Sequence, residues 1–191
     1  MFDRWLEALV ATPGLTSLSG DDARRVHVDE SLAAVEVLRR FEGPILDVGS
    51  GGGSPGIPLA TALPEREVTL LESSRRKCVF LERWARELPN LRVVCGRAEE
   101  QPVDAWGVAL AKALATPPVA AEWTLPLVAS GGAAVLFVGL TAEAGRVGRV
   151  AELLGAELAE TPPGLFVLRK LVPTPPGFPR RPGVARKRPL A

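Results

Sequence analysis

The sequence predicts an α/β fold with a mainly parallel sheet and a short N-terminal helical extension. From residue 44 onward, apolar strand-like runs alternate with helical segments, a pattern that favours a parallel sheet covered on both faces. The segment Ile45–Gly56 joins an apolar run to a cluster of glycines, as at the start of a βαβ unit. We therefore expect a single domain (1–191), comprising N-terminal helices (1–43), a Rossmann-like core (44–172) and a tail (173–191).

The expected elements follow in chain order. Apolar residues at helical spacing predict a first helix that ends at Pro13, and Asp21 and Asp22 are suited to cap a second. The predicted strands are Ile45–Val48, Val68–Glu72, Arg92–Cys95, Gly107–Ala111, Ala133–Val138 and Leu165–Val172. The helices between them are predicted at Pro58–Leu63, Arg75–Leu88, Val119–Val128 and Ala142–Leu154. Ligands of such sheets bind beyond the carboxyl ends of the strands, where the glycines fall.

Two cofactors fit the glycine turn. Gly51, Gly53 and Gly56 match the G-x-G-x-x-G pattern of dinucleotide sites, and Glu72 follows about twenty residues later. Read from Asp47, the same loop is D-x-G-x-G-x-G, which is typical of S-adenosylmethionine (SAM) methyltransferases, whose second strand ends in an acid for the ribose hydroxyls. The pattern favours SAM over a dinucleotide, and a purely structural glycine turn is the third possibility.

Charge is distributed unevenly along the chain. The net charge is +1, but residues 1–160 hold 16 Lys or Arg against 22 Asp or Glu, whereas residues 161–191 hold seven Lys or Arg and no acid. A basic, proline-rich end on an acidic body predicts contact with a polyanion such as RNA. The alternative is a solvated tail that only keeps the protein soluble.

Cysteine content and hydropathy limit the possible environments. Cys78 and Cys95 are too few for a disulfide framework and lack metal-ligand spacing, so we expect buried free thiols, no metal and a cytoplasmic protein. Asp3 and Arg4 interrupt any signal-peptide pattern. The longest apolar stretch contains Pro126 and several glycines, which argues against a membrane span.

Four segments of the chain resemble one protein family. They read DVGSGGGSPGIPLA, LLESSRRKCVFL, GRAEE and FPRRPGVARKRPL, and in this order they resemble the RsmG (glucose-inhibited division protein B) family, ribosomal RNA small subunit methyltransferase G. The resemblance implies a class I, SAM-dependent methyltransferase that acts on 16S rRNA or a small ribosomal subunit precursor. The implied acceptor is N7 of a guanine, which has a lone pair and no proton, so no general base is expected. We also expect a monomer.

The resemblance and the motifs together predict the site residues. The cofactor-binding candidates are Gly49, Gly51, Gly53, Ser54, Glu72, Ala98, Glu99 and Lys112. Ala98 and Glu99 would receive the adenine by resemblance. The RNA-contact candidates are His27, Arg180, Arg181, Arg186, Lys187 and Arg188. For His27 the alternative is a packed, hydrogen-bonded histidine; for the tail it is a cover for the sheet edge. Because the cofactor motifs precede residue 113, the tail is expected to contribute little to cofactor binding.

Four positions depart from the family pattern, and the first is Gly14, where the family usually has asparagine. Lys112 stands where the family has arginine, Val138 where it has lysine, and Ser54 where it has phenylalanine or leucine. Lysine lacks the planar, five-donor fork of arginine, so this exchange changes the contacts available. Two alternatives therefore stay open: a methyltransferase with a different acceptor, or a SAM- or RNA-binding relative with little activity.

Overall fold

A seven-stranded sheet forms the centre of the protein in the computed structural model, which describes residues 1–139 and 141–191. The strands are β1 (Ile45–Val48), β2 (Val68–Glu72), β3 (Leu91–Cys95), β4 (Trp106–Lys112), β5 (Val128–Phe137), β6 (Ala156–Glu160) and β7 (Leu165–Lys170). Their order is β3–β2–β1–β4–β5–β7–β6. The first five run parallel, whereas β7 is antiparallel to both β5 and β6. The predicted mainly parallel sheet is confirmed.

Helices precede the sheet and alternate with its strands. They are α1 (Phe2–Ala11), α2 (Gly20–Arg24), α3 (Glu30–Leu32), α4 (Val35–Leu38), α5 (Gly56–Ala62), α6 (Arg75–Ala85), α7 (Pro117–Thr124), α8 (Ala144–Leu153) and α9 (Val184–Lys187). A π-helical turn at Arg25–Asp29 connects α2 to α3. No helix in the described ranges is long and apolar enough to cross a membrane.

Two apolar clusters cover the two faces of the sheet. Ile45 and Leu70 point into a cluster with the N-terminal helices, α5 and α6, whereas their neighbours Leu46 and Leu71 point into a cluster with α7 and α8. Alternation of this kind follows from the two-residue period of a strand. Because both faces are buried, the strand ends are the places where a parallel sheet can expose a site.

The structure corrects the predicted elements at the end of the sheet. The strand β6 was not predicted, because its sequence AELAE consists of good helix formers and follows a predicted helix. Its antiparallel pairing with β7 overrides that propensity. The strand β5 begins at Val128 instead of Ala133, since α7 ends earlier than predicted and a 3₁₀ turn, Leu125–Leu127, leads into the strand.

The prediction of two free thiols is wrong in this structure, which pairs Cys78 with Cys95 in a disulfide. Cys78 is buried in α6, whereas Cys95 ends β3 and is exposed. The parallel pairing of β2 with β3 places Cys95 beside Glu72, and α6 starts just after that residue. The two Cα atoms are therefore 5.9 Å apart despite a sequence separation of 17. A linear sequence does not reveal this proximity.

Candidate cofactor and RNA site

The glycine turn is tightly packed except at one residue. Gly49, Gly51 and Gly53 have φ values of 72°, 58° and 104°, in the region that only glycine adopts readily. A Cβ on Gly49 would lie 2.3 Å from Leu114, and a Cβ on Gly53 would lie 2.3 Å from Ile57. On Gly51 the nearest atom would be the Gly49 carbonyl oxygen at 3.9 Å. The backbone at Gly51 therefore borders open space that a ligand can occupy.

Asp47 connects the glycine turn to β1. It is buried in β1, and its Oδ2 accepts a hydrogen bond from the Gly56 amide at 3.0 Å, at the first residue of α5. Burial raises the pKa of Asp47 to about 7. This contact ties the end of the glycine turn to β1, so Asp47 shapes the loop.

Glu72 connects two loops at the edge of the sheet. Its Oε2 accepts a hydrogen bond from the Gly51 amide at 2.9 Å, and its Oε1 accepts one from the Ser74 amide at 2.8 Å. Each carboxylate oxygen has a further lone pair, so ribose hydroxyls can still donate to it. The structure thus places Glu72 against the glycine turn, as a cofactor site of either kind requires.

One cavity, here called the Glu99 pocket, lies beyond the ends of β1, β2 and β3. Its volume is about 160 Å³, and it is lined by Val48, Gly49, Leu71, Ser73, Gly96, Arg97, Ala98, Glu99, Leu114, Trp123, Gly183 and Arg186. Leu71, Leu114 and Trp123 form an apolar part of its lining, and Glu99 adds a carboxylate. This combination suits a flat base with an amino group. Both residues predicted for adenine are in this pocket.

A second cavity, here called the Lys112 pocket, shares Gly49 with the first as a lining residue. It measures about 220 Å³ and is lined by Leu9, Leu15, Val26, His27, Gly49, Ser50, Gly51, Gly52, Ser54, Lys77, Lys112 and Ala113. The glycine turn forms one side, and the N-terminal helical extension forms the other. Six of the predicted cofactor residues line one or both of these pockets: Gly49, Gly51, Ser54, Ala98, Glu99 and Lys112. Of the other two, Gly53 lies within the glycine turn, and Glu72 accepts a hydrogen bond from the Gly51 amide.

Lys112 links the sheet to the helical extension. Its Nζ donates a hydrogen bond to the Val26 carbonyl oxygen and lies 3.2 Å from the Glu30 carboxylate. The same ammonium lies 5.5 Å from the centre of the Phe137 ring, and the side chain is only 10% exposed. Burial lowers the pKa of Lys112, and the charge of Glu30 opposes that shift. Lys112 thus holds the helical extension against the end of β4.

His27 and Ser54 meet on the other side of the Lys112 pocket. The His27 Nε2 is hydrogen-bonded to Thr16 Oγ1 at 2.9 Å, and its ring contacts Trp5 edge-on. Burial and the nearby charge of Lys112 lower the pKa of His27. Ser54 Oγ donates to the His27 carbonyl oxygen at 3.1 Å, so this side chain binds the helical extension. His27 is packed and hydrogen-bonded, and it also lines the pocket.

The basic tail divides into residues with different surroundings. Arg180 donates from Nε and Nη2 to the two carboxylate oxygens of Glu122, at 2.5 and 2.6 Å, and Glu122 is only 2% exposed. This ion pair occupies the guanidinium, so Arg180 attaches the tail to α7. Arg181, Lys187 and Arg188 are exposed. The strands β3 and β6 form the two edges of the sheet.

The structure adds site residues that sequence reasoning missed. Trp5 Nε1 donates to the Gly52 carbonyl oxygen at 2.9 Å, and a Cβ on Gly52 would lie 2.2 Å from Leu9. Helix α1 therefore packs directly on the glycine turn. The apolar spacing of α1 indicated a buried face but not its partner. Leu114 and Trp123, which line the Glu99 pocket, had no sequence signal beyond their hydrophobicity.

The strand order and the glycine turn define a class I, Rossmann-like methyltransferase. Among solved structures, the fold is similar to an O-methyltransferase (NcsB1) from neocarzinostatin biosynthesis in complex with S-adenosylmethionine, with a TM-score of 0.58 and 17% identity over 71% of this chain and 52% of that one. It is also similar to the antibiotic-resistance methyltransferase Kmr, with a TM-score of 0.55 and 14% identity over 73% of this chain and 92% of that one. At these identities the likeness concerns the fold.

Sequence comparison identifies the family. The family model described as rRNA small subunit methyltransferase G matches residues 9–154. Proteins named ribosomal RNA small subunit methyltransferase G are 38% identical in a Synechococcus strain, over 86% of this chain and 73% of the relative, and 34% identical in Carboxydothermus hydrogenoformans, over 100% and 91%. The chain belongs to the rRNA small subunit methyltransferase G family. The resemblance carried by the four motifs is confirmed, and SAM, not a dinucleotide, is the cofactor.

Proposed function

We propose that this protein transfers the methyl group of SAM to N7 of a guanine in the 16S rRNA of the small ribosomal subunit or its precursor. The observation that carries the proposal is that Gly49 of the glycine turn lines both the Glu99 pocket and the Lys112 pocket. An elongated cofactor with a base at one end and an amino acid at the other would reach both pockets along this turn. The adenine belongs in the Glu99 pocket, and the methionine part belongs along the glycine turn.

The lining of the Lys112 pocket suits a reaction without proton removal. SAM supplies an electrophilic methyl group, and guanine N7 offers a lone pair. None of the described residues that line this pocket is a carboxylate, and His27 is engaged by Thr16. The residues present can hold and orient the two reactants, and orientation alone supplies roughly 7–11 kcal/mol in favourable cases. Lys112, Val26 and Ala113 would position the acceptor.

An open groove leads from the Lys112 pocket to the surface. It shares Lys112, Ala113 and Val26 with that pocket and continues past Phe137 and Gly164, with a volume of about 690 Å³. A guanine that is unpaired, or flipped out at a cost of a few kcal/mol, could enter through this groove. We further propose that the protein acts as a monomeric single domain in the cytoplasm, where such RNA is found.

Mapping of methylated nucleotides in 16S rRNA tests the proposed function directly. The purified protein and SAM are incubated with small subunits and with protein-free 16S rRNA, and digests are analysed by mass spectrometry. One additional methyl group on a guanine is expected. Methylation of a different class of acceptor would contradict the proposal. SAM binding without transfer would instead favour the low-activity relative that the departures at Lys112 and Val138 suggest.

Loss of the Glu72 carboxylate should weaken cofactor binding. In a Glu72→Ala variant the ribose hydroxyls and the Gly51 amide lose an acceptor, so SAM binding is expected to weaken by about 1–3 kcal/mol. Calorimetry with SAM and S-adenosylhomocysteine measures this change. The Glu72→Gln variant keeps one acceptor oxygen, so its affinity for SAM should lie between those of the parent and Glu72→Ala. An unchanged dissociation constant in Glu72→Ala would leave the residue with a structural role only.

Three exposed basic residues of the tail should carry RNA affinity. Combined replacement of Arg181, Lys187 and Arg188 by alanine is expected to weaken rRNA binding and to flatten its salt dependence, because fewer counterions are released from phosphates. Binding is measured at several salt concentrations by filter retention. The control variant removes the same charge from exposed positions outside the tail, at Arg83, Arg86 and Arg149. Equal loss in both variants would point to general charge, not to the tail.

A further inference from the structure

We propose that the C-terminal segment Gly183–Arg188 forms one wall of the Glu99 pocket and that Arg186 is a cofactor-binding residue. The inference rests on the proposed function, since it assumes that SAM occupies this pocket. It extends the cofactor site into a part of the chain that the sequence assigns to RNA. It also contradicts the expectation that the tail leaves cofactor binding unchanged.

The segment touches the residue expected to receive the adenine. Gly183 has a φ of 81° and precedes α9, and its amide donates to Glu99 Oε1 at 3.2 Å. Gly183 and Arg186 both line the Glu99 pocket, beside Ala98. The Glu99 carboxylate is therefore positioned by the tail. A base bound in the pocket beside this hydrogen bond would contact both parts of the chain.

Arg186 is placed over the pocket by two further contacts. Its guanidinium lies 5.5 Å from the centre of the Trp123 ring, and its Nη2 donates to the Leu114 carbonyl oxygen at 3.5 Å. Trp123 and Leu114 are themselves pocket residues. A guanidinium plane held in this way offers a flat, cationic surface, which stacks favourably on aromatic rings. The adenine ring is such a partner.

The wall is anchored on both sides of Arg186. Arg180 pairs with the buried Glu122 of α7, and its Nη2 also donates to the Arg188 carbonyl oxygen at 2.8 Å. Ala185, in the middle of α9, is buried. Because the segment is held before and after Arg186, its backbone does not need to be ordered when the cofactor arrives. The tail thus contains a fold residue, a cofactor residue and an RNA-facing group.

Calorimetry with single variants tests whether Arg186 contacts the bound cofactor. In Arg186→Ala, binding of S-adenosylhomocysteine is expected to weaken about threefold to thirtyfold, the range of a cation–π contact. Arg186→Lys keeps the positive charge but lacks the planar guanidinium, so its affinity for S-adenosylhomocysteine should fall by a smaller factor. Arg181→Ala, an exposed neighbour, is the matched control and should bind as the parent does. Adenosine alone should show the same dependence, because the contact is to the base.

Comparison of SAM with S-adenosylhomocysteine separates the loss of a direct contact from the loss of a nearby positive charge. SAM has a net positive charge, so the loss of a nearby cation would by itself strengthen its binding, whereas S-adenosylhomocysteine is neutral overall. Weaker binding of both ligands is therefore expected only if Arg186 touches the cofactor. If a stable Arg186→Ala variant binds SAM and S-adenosylhomocysteine as tightly as the parent does, the proposal that Arg186 binds the cofactor is wrong. Failure of the parent itself to bind SAM would instead overturn the proposed function.

Discussion

A Gly51→Val variant is expected to lose SAM binding altogether. Gly51 has a φ of 58°, where a β-branched residue is an outlier that costs on the order of 1–3 kcal/mol. The new side chain would also project into the open space beside the turn, where the nearest protein atom to a Cβ is 3.9 Å away. Both effects act on the glycine turn, whose Gly51 amide donates a hydrogen bond to Glu72. Strain shifts the loop, and the isopropyl group occupies the volume of the ligand.

A second glycine separates strain from the loss of ligand space. Gly131 has a φ of 90°, and a Cβ on it would have no atom within 4 Å. Gly131→Val should therefore bear a similar backbone strain, visible as a lower melting temperature, while SAM binding measured by calorimetry stays at the parental value. If Gly51→Val folds and binds SAM as tightly as Gly131→Val does, the glycine turn is not the cofactor loop.

An Arg180→Ala variant is expected to lower the free energy of unfolding by about 3–5 kcal/mol, the effect of leaving a buried charge without its partner. Glu122 is 2% exposed, and both of its oxygens accept from Arg180. Urea denaturation measures the loss. Arg181→Ala removes the same charge one residue later, at an exposed position, and should change stability by less than about 0.5 kcal/mol.

Removal of both charges provides the decisive comparison. The combined variant Arg180→Met with Glu122→Leu replaces the ion pair by apolar side chains, and most of the lost stability should return, since no buried charge stays unpaired. If Arg180→Ala is no more destabilised than Arg181→Ala, the pair does not hold the tail on α7. The basis for separating Arg180 from the RNA surface would then disappear.

The convergence of the candidate cofactor motifs could be predicted because each of these motifs is local. The glycine turn follows β1, Glu72 ends β2, and Ala98 and Glu99 follow β3. A parallel sheet places consecutive carboxyl ends at one edge, so three separate motifs converge without any further information. The strand alternation that predicts this sheet is itself a local property of the chain. For the same reasons the motifs sufficed to recognise the family.

Elements that depend on distant partners escaped prediction. The strand β6 forms because β7 is available to pair with it, although its own residues favour a helix. Cys78 and Cys95 meet because β2 and β3 pair in a particular register. In the first case a tertiary contact overrides the local propensity, and in the second it brings together residues that are distant in the sequence.

The sequence by itself determined the fold class, the family, the glycine turn and the basic character of the tail. Only the tertiary structure decided what each basic residue contacts. A charge count treats Arg180, Arg181 and Arg186 alike, but Arg180 pairs with a buried carboxylate 58 residues away and Arg186 lies on Trp123 at the rim of a pocket. Arg181 is exposed. The role of a charged side chain depends on the burial and chemistry of its neighbours, and those neighbours come from distant parts of the chain.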